Sequence, residues 1–189
     1  MRVIAGSAGG VRLVAPRDPE TRPITDRVKE TLFGILGERV IDARAIDLYA
    51  GSGAIGIEAL SRGATHCTFV ERGRDALAAL RENLRRAGVD DDATVIGADV
   101  MRALERGDGD RYDLAFMDPP YAERAILPAL ERLVPKLRVG GTVVVKHFWR
   151  SGPPAVAGLT TWRQRRFGET ALTFLERVAP PGPGGEEKS

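Results

Sequence analysis

A single cysteine, Cys67, among 189 residues excludes an intrachain disulfide and any cysteine-cluster metal site. It sits in the apolar run Cys67-Thr68-Phe69-Val70, where a buried structural thiol is expected. Only two histidines are present. His66 and His147 have no partner at ligand spacing, so no metal is expected. No apolar stretch approaches the roughly 20 residues that span a bilayer, and no leader pattern opens the chain. A cytoplasmic protein is the expectation. A strong charge of one sign is also missing. The formal net charge is +2, with 28 Lys and Arg against 26 Asp and Glu, so any nucleic-acid contact has to come from local arginine clusters.

What is there is an ordinary globular composition, 43% hydrophobic and 29% charged, arranged in a strand–helix alternation. Val3-Ile4-Ala5 and Val11 to Val14, separated by a glycine-rich turn, predict an N-terminal β-hairpin. A loop carrying Pro16, Arg17, Pro19, Arg22 and Pro23 follows. A helix capped by Thr25 or Asp26 then covers about Arg27 to Leu36, with Gly37 ending it. From Ala45 the rhythm is regular. Strands are predicted at Ala45–Tyr49, Cys67–Val70, Ala93–Gly97, Leu114–Met117 and Thr142–Lys146, and helices at Ala54–Ser61, Arg74–Arg86, Met101–Glu105 and Glu123–Leu137. In the last of these, Pro128 and Pro135 introduce a kink or a break.

Strands alternating with helices across short loops predict a doubly wound α/β sheet with parallel strands. After Arg150 the alternation stops, and Leu159–Phe167 with Ala171–Arg177 predict an antiparallel pair closing one edge. The expected organisation is one domain over residues 1–178, with 1–40 as a hairpin and helix extension and 41–178 as the core. Residues 179–189, rich in Pro and Gly, read as a disordered tail.

Two stretches carry chemistry. Asp47-Leu48-Tyr49-Ala50-Gly51-Ser52-Gly53, with Gly56, spells G-x-G-x-x-G between a strand and a helix, and Glu71 ends the next strand at the distance suited to ribose hydroxyls. That half of the pattern fits NAD and S-adenosylmethionine equally. Asp47 inside the first strand is placed for a cationic amino group, and Asp99 with Val100 after the third strand for an adenine. No dehydrogenase-type catalytic residues accompany them, which favours a methyl donor. The competing roles are a satisfied turn acid for Asp47 and a helix N-cap for Asp99. The second stretch is Asp118-Pro119-Pro120-Tyr121, where a strand ends. Two consecutive prolines hold the Asp118 side chain and the neighbouring carbonyls as acceptors only, suited to both protons of an exocyclic amino group, with Tyr121 free to stack on the base. Its competing role is a strand-ending turn in which Asp118 caps a helix.

These motifs, in this order, resemble those of class I, S-adenosylmethionine-dependent amino-methyltransferases. Arg2-Val3-Ile4-Ala5-Gly6, Thr21 to Glu30, Gly56 to Ala64 and Phe167-Gly168-Glu169-Thr170 further resemble the bacterial small-subunit (16S) ribosomal RNA guanine-N2 methyltransferase family, RsmD, over residues 1 to 177. The resemblance implies a Rossmann-like sheet of seven strands. It implies S-adenosylmethionine as cofactor, held by Asp47, Tyr49, Ala50, Gly51, Ser52, Gly53, Glu71, Asp99 and Val100. It also implies catalysis by Asp118, Pro119, Pro120 and Tyr121 on a guanine of small-subunit rRNA or of the assembling 30S particle, by a monomer without metal. The departure is Lys146-His147-Phe148-Trp149, where many relatives carry an acid. Arg2, Arg12, Arg22 and Arg27 are the expected RNA contacts, on an extension that a cofactor sheet does not need for its own core, so removing residues 1–24 is expected to spare folding. Methylation of adenine or cytosine amino groups, and a non-catalytic RNA-binding assembly factor, are the alternatives. Methyl transfer to DNA against ribosomal subunits separates the first, and RNA binding without turnover marks the second.

Overall fold

The computed structural model describes residues 1–16, 24–106, 111–119 and 126–179. The segment with Arg17, Arg22 and Pro23, the second half of the Asp118–Tyr121 stretch, and the predicted tail from 180 onward lie outside the described residues.

Seven strands form one sheet in the order β3-β2-β1-β4-β5-β7-β6. The strands are β1 (Arg44–Leu48), β2 (His66–Glu71), β3 (Ala93–Gly97), β4 (Tyr112–Met117), β5 (Leu137–Phe148), β6 (Leu159–Phe167) and β7 (Thr170–Arg177). The first five run parallel, and β7 lies antiparallel between β5 and β6. This is the Rossmann-like class I methyltransferase sheet with an antiparallel closing pair that the sequence leads one to expect. Helices α1 (Asp26–Leu36), α2 (Ala54–Ser61) and α3 (Arg74–Ala87) cover one face. Helices α4 (Val100–Arg106) and α5 (Ile126–Leu133) cover the other. Strands β1, β2 and β4 are buried almost throughout, which is why they read as continuous apolar runs rather than alternating ones.

Three elements differ from expectation. Strand β5 is twelve residues long and starts at Leu137. Its partner changes from Tyr112↔Leu137 to Leu114↔Thr142, so an irregularity, with Gly140 at φ 82°, absorbs the extra residues. The predicted helix over Glu123–Leu137 is shorter: α5 gives way to a 3₁₀ turn at Val134–Lys136 with Pro135 inside it. The N-terminal hairpin has no ladder, only an isolated Arg2–Arg12 bridge, with Val3 N–H donating to Val11 O at 2.9 Å and Leu13 N–H to Met1 O at 3.1 Å.

That N-terminal segment is bolted to the core rather than standing off it. Val3, Ala8 and Leu13 are buried with the face of α1, α2 and α3. The Glu58 carboxylate of α2, fully buried, accepts from Ile4 N (2.7 Å), Ala5 N (3.1 Å), Arg62 Nε (2.8 Å) and the equally buried Lys29 Nζ (3.2 Å). Lys29 Nζ also donates to Arg2 O. Ser61 accepts from Ser7 N and Ala8 N and donates to Ala5 O. A side chain at Gly6 would run into Ser61 O at 1.7 Å. Further along, Asn83 of α3, fully buried, accepts from Val14 N and donates to Val14 O and Ser52 O. The segment therefore completes the hydrogen bonding of α2 and α3, against the expectation that the core closes without it.

Burying Val3 and Leu13 alone is worth about 3–6 kcal/mol, and removing one partner of a buried ion pair costs about 3–5 kcal/mol. Deleting residues 1–14, or replacing Glu58→Ala, is accordingly expected to lower the thermal midpoint by roughly 10 °C or more. Calorimetric melts of both variants check this. An unshifted melt for the deletion would restore the segment to a free arm.

Candidate functional site

The order of strands reverses between β1 and β4, so connections leave these neighbours towards opposite sides and a crevice opens beyond their carboxyl ends. Both motifs meet there. β1 ends at Leu48, and Tyr49 follows with φ 60°, a left-handed conformation that a bulky residue adopts only when its surroundings impose it. Ala50 N–H donates to Val70 O (3.1 Å), and Gly53 N–H closes the turn on Ala50 O (2.8 Å). The glycines divide their work. A side chain at Gly51, φ 56°, would meet nothing within 4 Å, so its backbone faces open space. One at Gly56 would strike the Phe69 ring at 2.3 Å and Cys67 Sγ at 2.7 Å, so glycine there lets α2 lie directly on β2. Ser52 is buried, its carbonyl held by Asn83.

The three acids expected to hold the cofactor are differently placed. Asp47 is buried in β1 and accepts from Gly56 N at 3.0 Å. Burial pushes its carboxyl up to about 7; the Gly56 hydrogen bond opposes this, and the charges of Asp118 and Glu71 add to it. Glu71 accepts three backbone N–H groups, from Gly51 (2.9 Å), Arg72 (2.7 Å) and Gly73 (2.7 Å), and so locks the glycine turn to the end of β2. Asp99 caps α4 by accepting from Met101 N (3.0 Å) and pairs with Arg72 at 3.4 Å. The cap role weighed for it is therefore present. The side chain of Val100 is buried in the core with Leu104. Tyr49 is half-buried, and burial, reinforced by Asp99 and opposed by Arg72, raises its phenol.

Asp118 follows directly on β4, its N–H reaching Leu48 O at 3.5 Å. Its carboxylate Oδ2 accepts from Lys146 Nζ at 2.7 Å, each side chain 26% exposed. Burial raises the Asp118 carboxyl, and the Lys146 ammonium works against that through its charge and its hydrogen bond. A small crevice beside them is lined by Ile24, Leu32, Ile55, Phe116 and Val144. Pro119 is described; Pro120 and Tyr121 are not.

Of the expected RNA arginines, Arg2 and Arg12 stand opposite each other in the isolated bridge, and Arg27 follows the residue with which Arg2 pairs. Arg2 pairs with Asp26 at 3.2 Å. Arg12 and Arg27 are exposed, and Arg22 lies outside the described residues. Sequence reasoning missed the partner of Asp118. Lys146 stood out only as a departure, yet two signals pointed to it: a lysine in an otherwise apolar strand, and its place at the same carboxyl end as Asp118 on what becomes the neighbouring strand, where Met117 pairs with Val145. Lys29, Glu58 and Asn83 also escaped notice, because their contacts span 29 to 69 residues of sequence.

The conserved hypothetical protein 95 family matches residues 1–176 of the chain. YlbH of Bacillus subtilis strain 168 is 38% identical over 185 residues, covering 94% of this chain and 99% of that protein. The ribosomal RNA small subunit methyltransferase D of Escherichia coli strain K12 is 34% identical over 184 residues, covering 95% and 91%. The solved structure of yhhF from Escherichia coli superposes with a TM-score of 0.86 at 32% identity, over 95% of this chain and 99% of that one. With the family match spanning residues 1–176 and 34% identity to the methyltransferase D relative over 95% of the chain, the protein belongs to the conserved hypothetical protein 95 family, that of the small-subunit ribosomal RNA methyltransferases D.

Proposed function

We propose that the protein methylates the exocyclic N2 amino group of a guanine in small-subunit ribosomal RNA, with S-adenosylmethionine as donor. The observation that carries this reading is the Asp118 carboxylate at the switch point, held by Lys146 and near enough to Asp47, as Glu71 also is, for its charge to raise the Asp47 carboxyl. The choice of guanine N2 rests on the resemblance of the Thr21–Glu30 and Gly56–Ala64 segments to that family. The small-subunit substrate accords with the methyltransferase D relative.

The residues fit the cofactor. Asp47 carries unrelieved negative potential from Asp118 and Glu71 in a buried site, which a cationic ligand would offset. Gly51 leaves its side of the turn open. Glu71, with three N–H groups already on its carboxylate, is immobilised and keeps acceptor capacity for a ribose hydroxyl. Tyr49, Ala50, Ser52 and Gly53 would line the turn, and Asp99 and Val100 the far side. When bound, S-adenosylmethionine supplies an electrophilic methyl on a positively charged sulfur.

The chain's own part is positioning and proton handling. With Oδ2 on Lys146, Asp118 keeps Oδ1 for one amino proton, and the Pro119 carbonyl takes the second, so the nitrogen lone pair is the face left free. As that nitrogen forms its new bond it becomes acidic, and Oδ1 is placed to receive the proton. Lys146 opposes the burial that raises the Asp118 carboxyl and so favours the ionised form, since a protonated Asp118 would donate where it has to accept. Tyr121 is assigned the stacking role and requires an extruded base. Small subunits from a strain lacking the gene, incubated with the protein and methyl-labelled cofactor, are expected to yield labelled N2-methylguanosine on nucleoside analysis. Label in an adenine or cytosine derivative, or no label at all, would refute the assignment.

Two variants examine the site electrostatics. Asp118→Ala is expected to leave cofactor affinity within a few-fold and to lower turnover by about two to three orders of magnitude. Lys146→Ala is expected to lower kcat about 10- to 100-fold at pH 7 and to regain part of it at pH 9, because the unassisted carboxyl titrates higher. A pH–rate profile parallel to wild type would remove Lys146 from this role.

Asp47 supplies a stability test. Its native pKa lies above its unfolded value, so the native state holds the extra proton between about pH 4 and pH 7. This contribution falls as pH rises through that window and is fully lost above it, by up to about 4 kcal/mol. Asp47→Asn is expected to melt higher than wild type at pH 8, with the gap narrowing by pH 5, while binding S-adenosylmethionine more weakly. A gap that does not vary with pH would assign the proton elsewhere.

A further inference from the structure

The arginines best placed for RNA are those of the outer strand. β6 pairs only with β7, and most of its side chains are exposed, among them Arg163, Arg165 and Arg166. Pairing aligns them with the site. Asp118 meets Lys146, Lys146 stands opposite Leu172, and Leu172 opposite Arg165. These four residues form one row on one face of the sheet. Three strand intervals separate its ends, roughly 14 Å at the usual spacing. Arg163, opposite Phe174, lies on the same face.

Aromatic rings accompany the charges. The Arg166 guanidinium stacks over the Trp149 ring at 5.1 Å, and Trp149 N–H donates to Glu169 O at 2.7 Å, tying the end of β5 to the β6–β7 turn. Phe148, paired with Thr170 at that same end, is 39% exposed. Between residues 132 and 168 the sequence has eight Lys and Arg and no Asp or Glu. Arg163 and Arg165 have no acidic partner among the described residues, whereas Arg2 is paired with Asp26.

We infer that the RNA strand flanking the target nucleotide runs across the β6–β7 hairpin, with phosphates on Arg163 and Arg165 and a base against Phe148. This rests on the rRNA reading above and moves the main contact away from the N-terminal arginines. Charges on an edge strand also prevent sheets from joining edge to edge. That need is met by one or two charges and explains neither the exposed Phe148 ring nor the missing acids. Arginine with aromatic side chains is the composition that holds single-stranded nucleic acid.

The test compares wild type, the double variant Arg163→Gln/Arg165→Gln, the charge-keeping Arg163→Lys/Arg165→Lys and the N-terminal Arg12→Gln/Arg27→Gln. The probes are protein-free small-subunit rRNA for binding and subunits from the deletion strain for turnover. The glutamine pair at β6 is expected to raise KM for RNA at least about tenfold with kcat within about twofold. It is also expected to flatten the salt dependence by about 0.7–0.9 per arginine and to leave S-adenosylmethionine affinity unchanged. The lysine pair is expected to keep the salt slope, and the N-terminal pair to do less than the β6 pair. Wild-type KM and slope in the β6 glutamine pair would overturn the inference, as would aggregation of that pair with RNA affinity retained, which would make β6 an edge guard. Wild-type protein that transfers no methyl to rRNA would instead overturn the functional reading itself.

Discussion

The buried Glu58 carboxylate is the interaction on which the rest of this structure depends. It gathers the N-terminal segment, α1 and the next turn of its own helix onto one side of α2. Two residues earlier in that helix, Gly56 N–H is held by Asp47 from the strand side. All eight residues of α2 are buried, so the helix is fixed between two carboxylates and cannot shift without stranding one of them. The glycine turn that begins α2 inherits this position, and Glu71 then closes the turn from β2. A buried ion pair is a poor source of net stability. Here its effect is to specify position, because four donors from three chain segments have to converge on one group.

The regular part of this architecture was legible in sequence because its signals are local. Ala54–Ser61 and Ala93–Gly97 begin and end where glycines and apolar periodicity place them, and the antiparallel closing pair follows from two extended runs separated by a turn too short for a helix. Strand β5 was read too short because Gly140-Gly141 looks like a loop, whereas pairing to β4 carries the strand through it. The N-terminal hairpin was read as a ladder whose loss the core would survive, because its real partners, Glu58, Ser61 and Asn83, lie 53 to 69 residues away and no local pattern announces them.

At the site the same division holds. Asp47, the glycine turn and Glu71 are adjacent in sequence to strand ends, so their convergence follows from the topology of a parallel sheet. The glycines proved less uniform than a fingerprint suggests: Gly51 faces space, and Gly56 is a packing glycine. Lys146 shows the opposite case. As a letter in a strand it departs from the pattern; as a neighbour of Asp118 it opposes the burial that raises that carboxyl. Only the register between β4 and β5 joins the two descriptions.

The charges in the crevice are unequal to their setting when no cation is present. Lys146 pairs with Asp118, and burial, with the charges of Asp118 and Glu71 adding to it, pushes the Asp47 carboxyl up to about 7. A fold that accepts such a cost in its first strand holds free energy that a positively charged ligand releases on entering. Binding then stabilises the native state by mass action, with the relief of the Asp47 charge included in the affinity. The basic outer strand complements this arrangement. Negative charge is concentrated at the switch point and positive charge along β6, so on the reading proposed above the donor's cation and the phosphates flanking the target base have separate places, at the two ends of the row that joins Asp118 to Arg165.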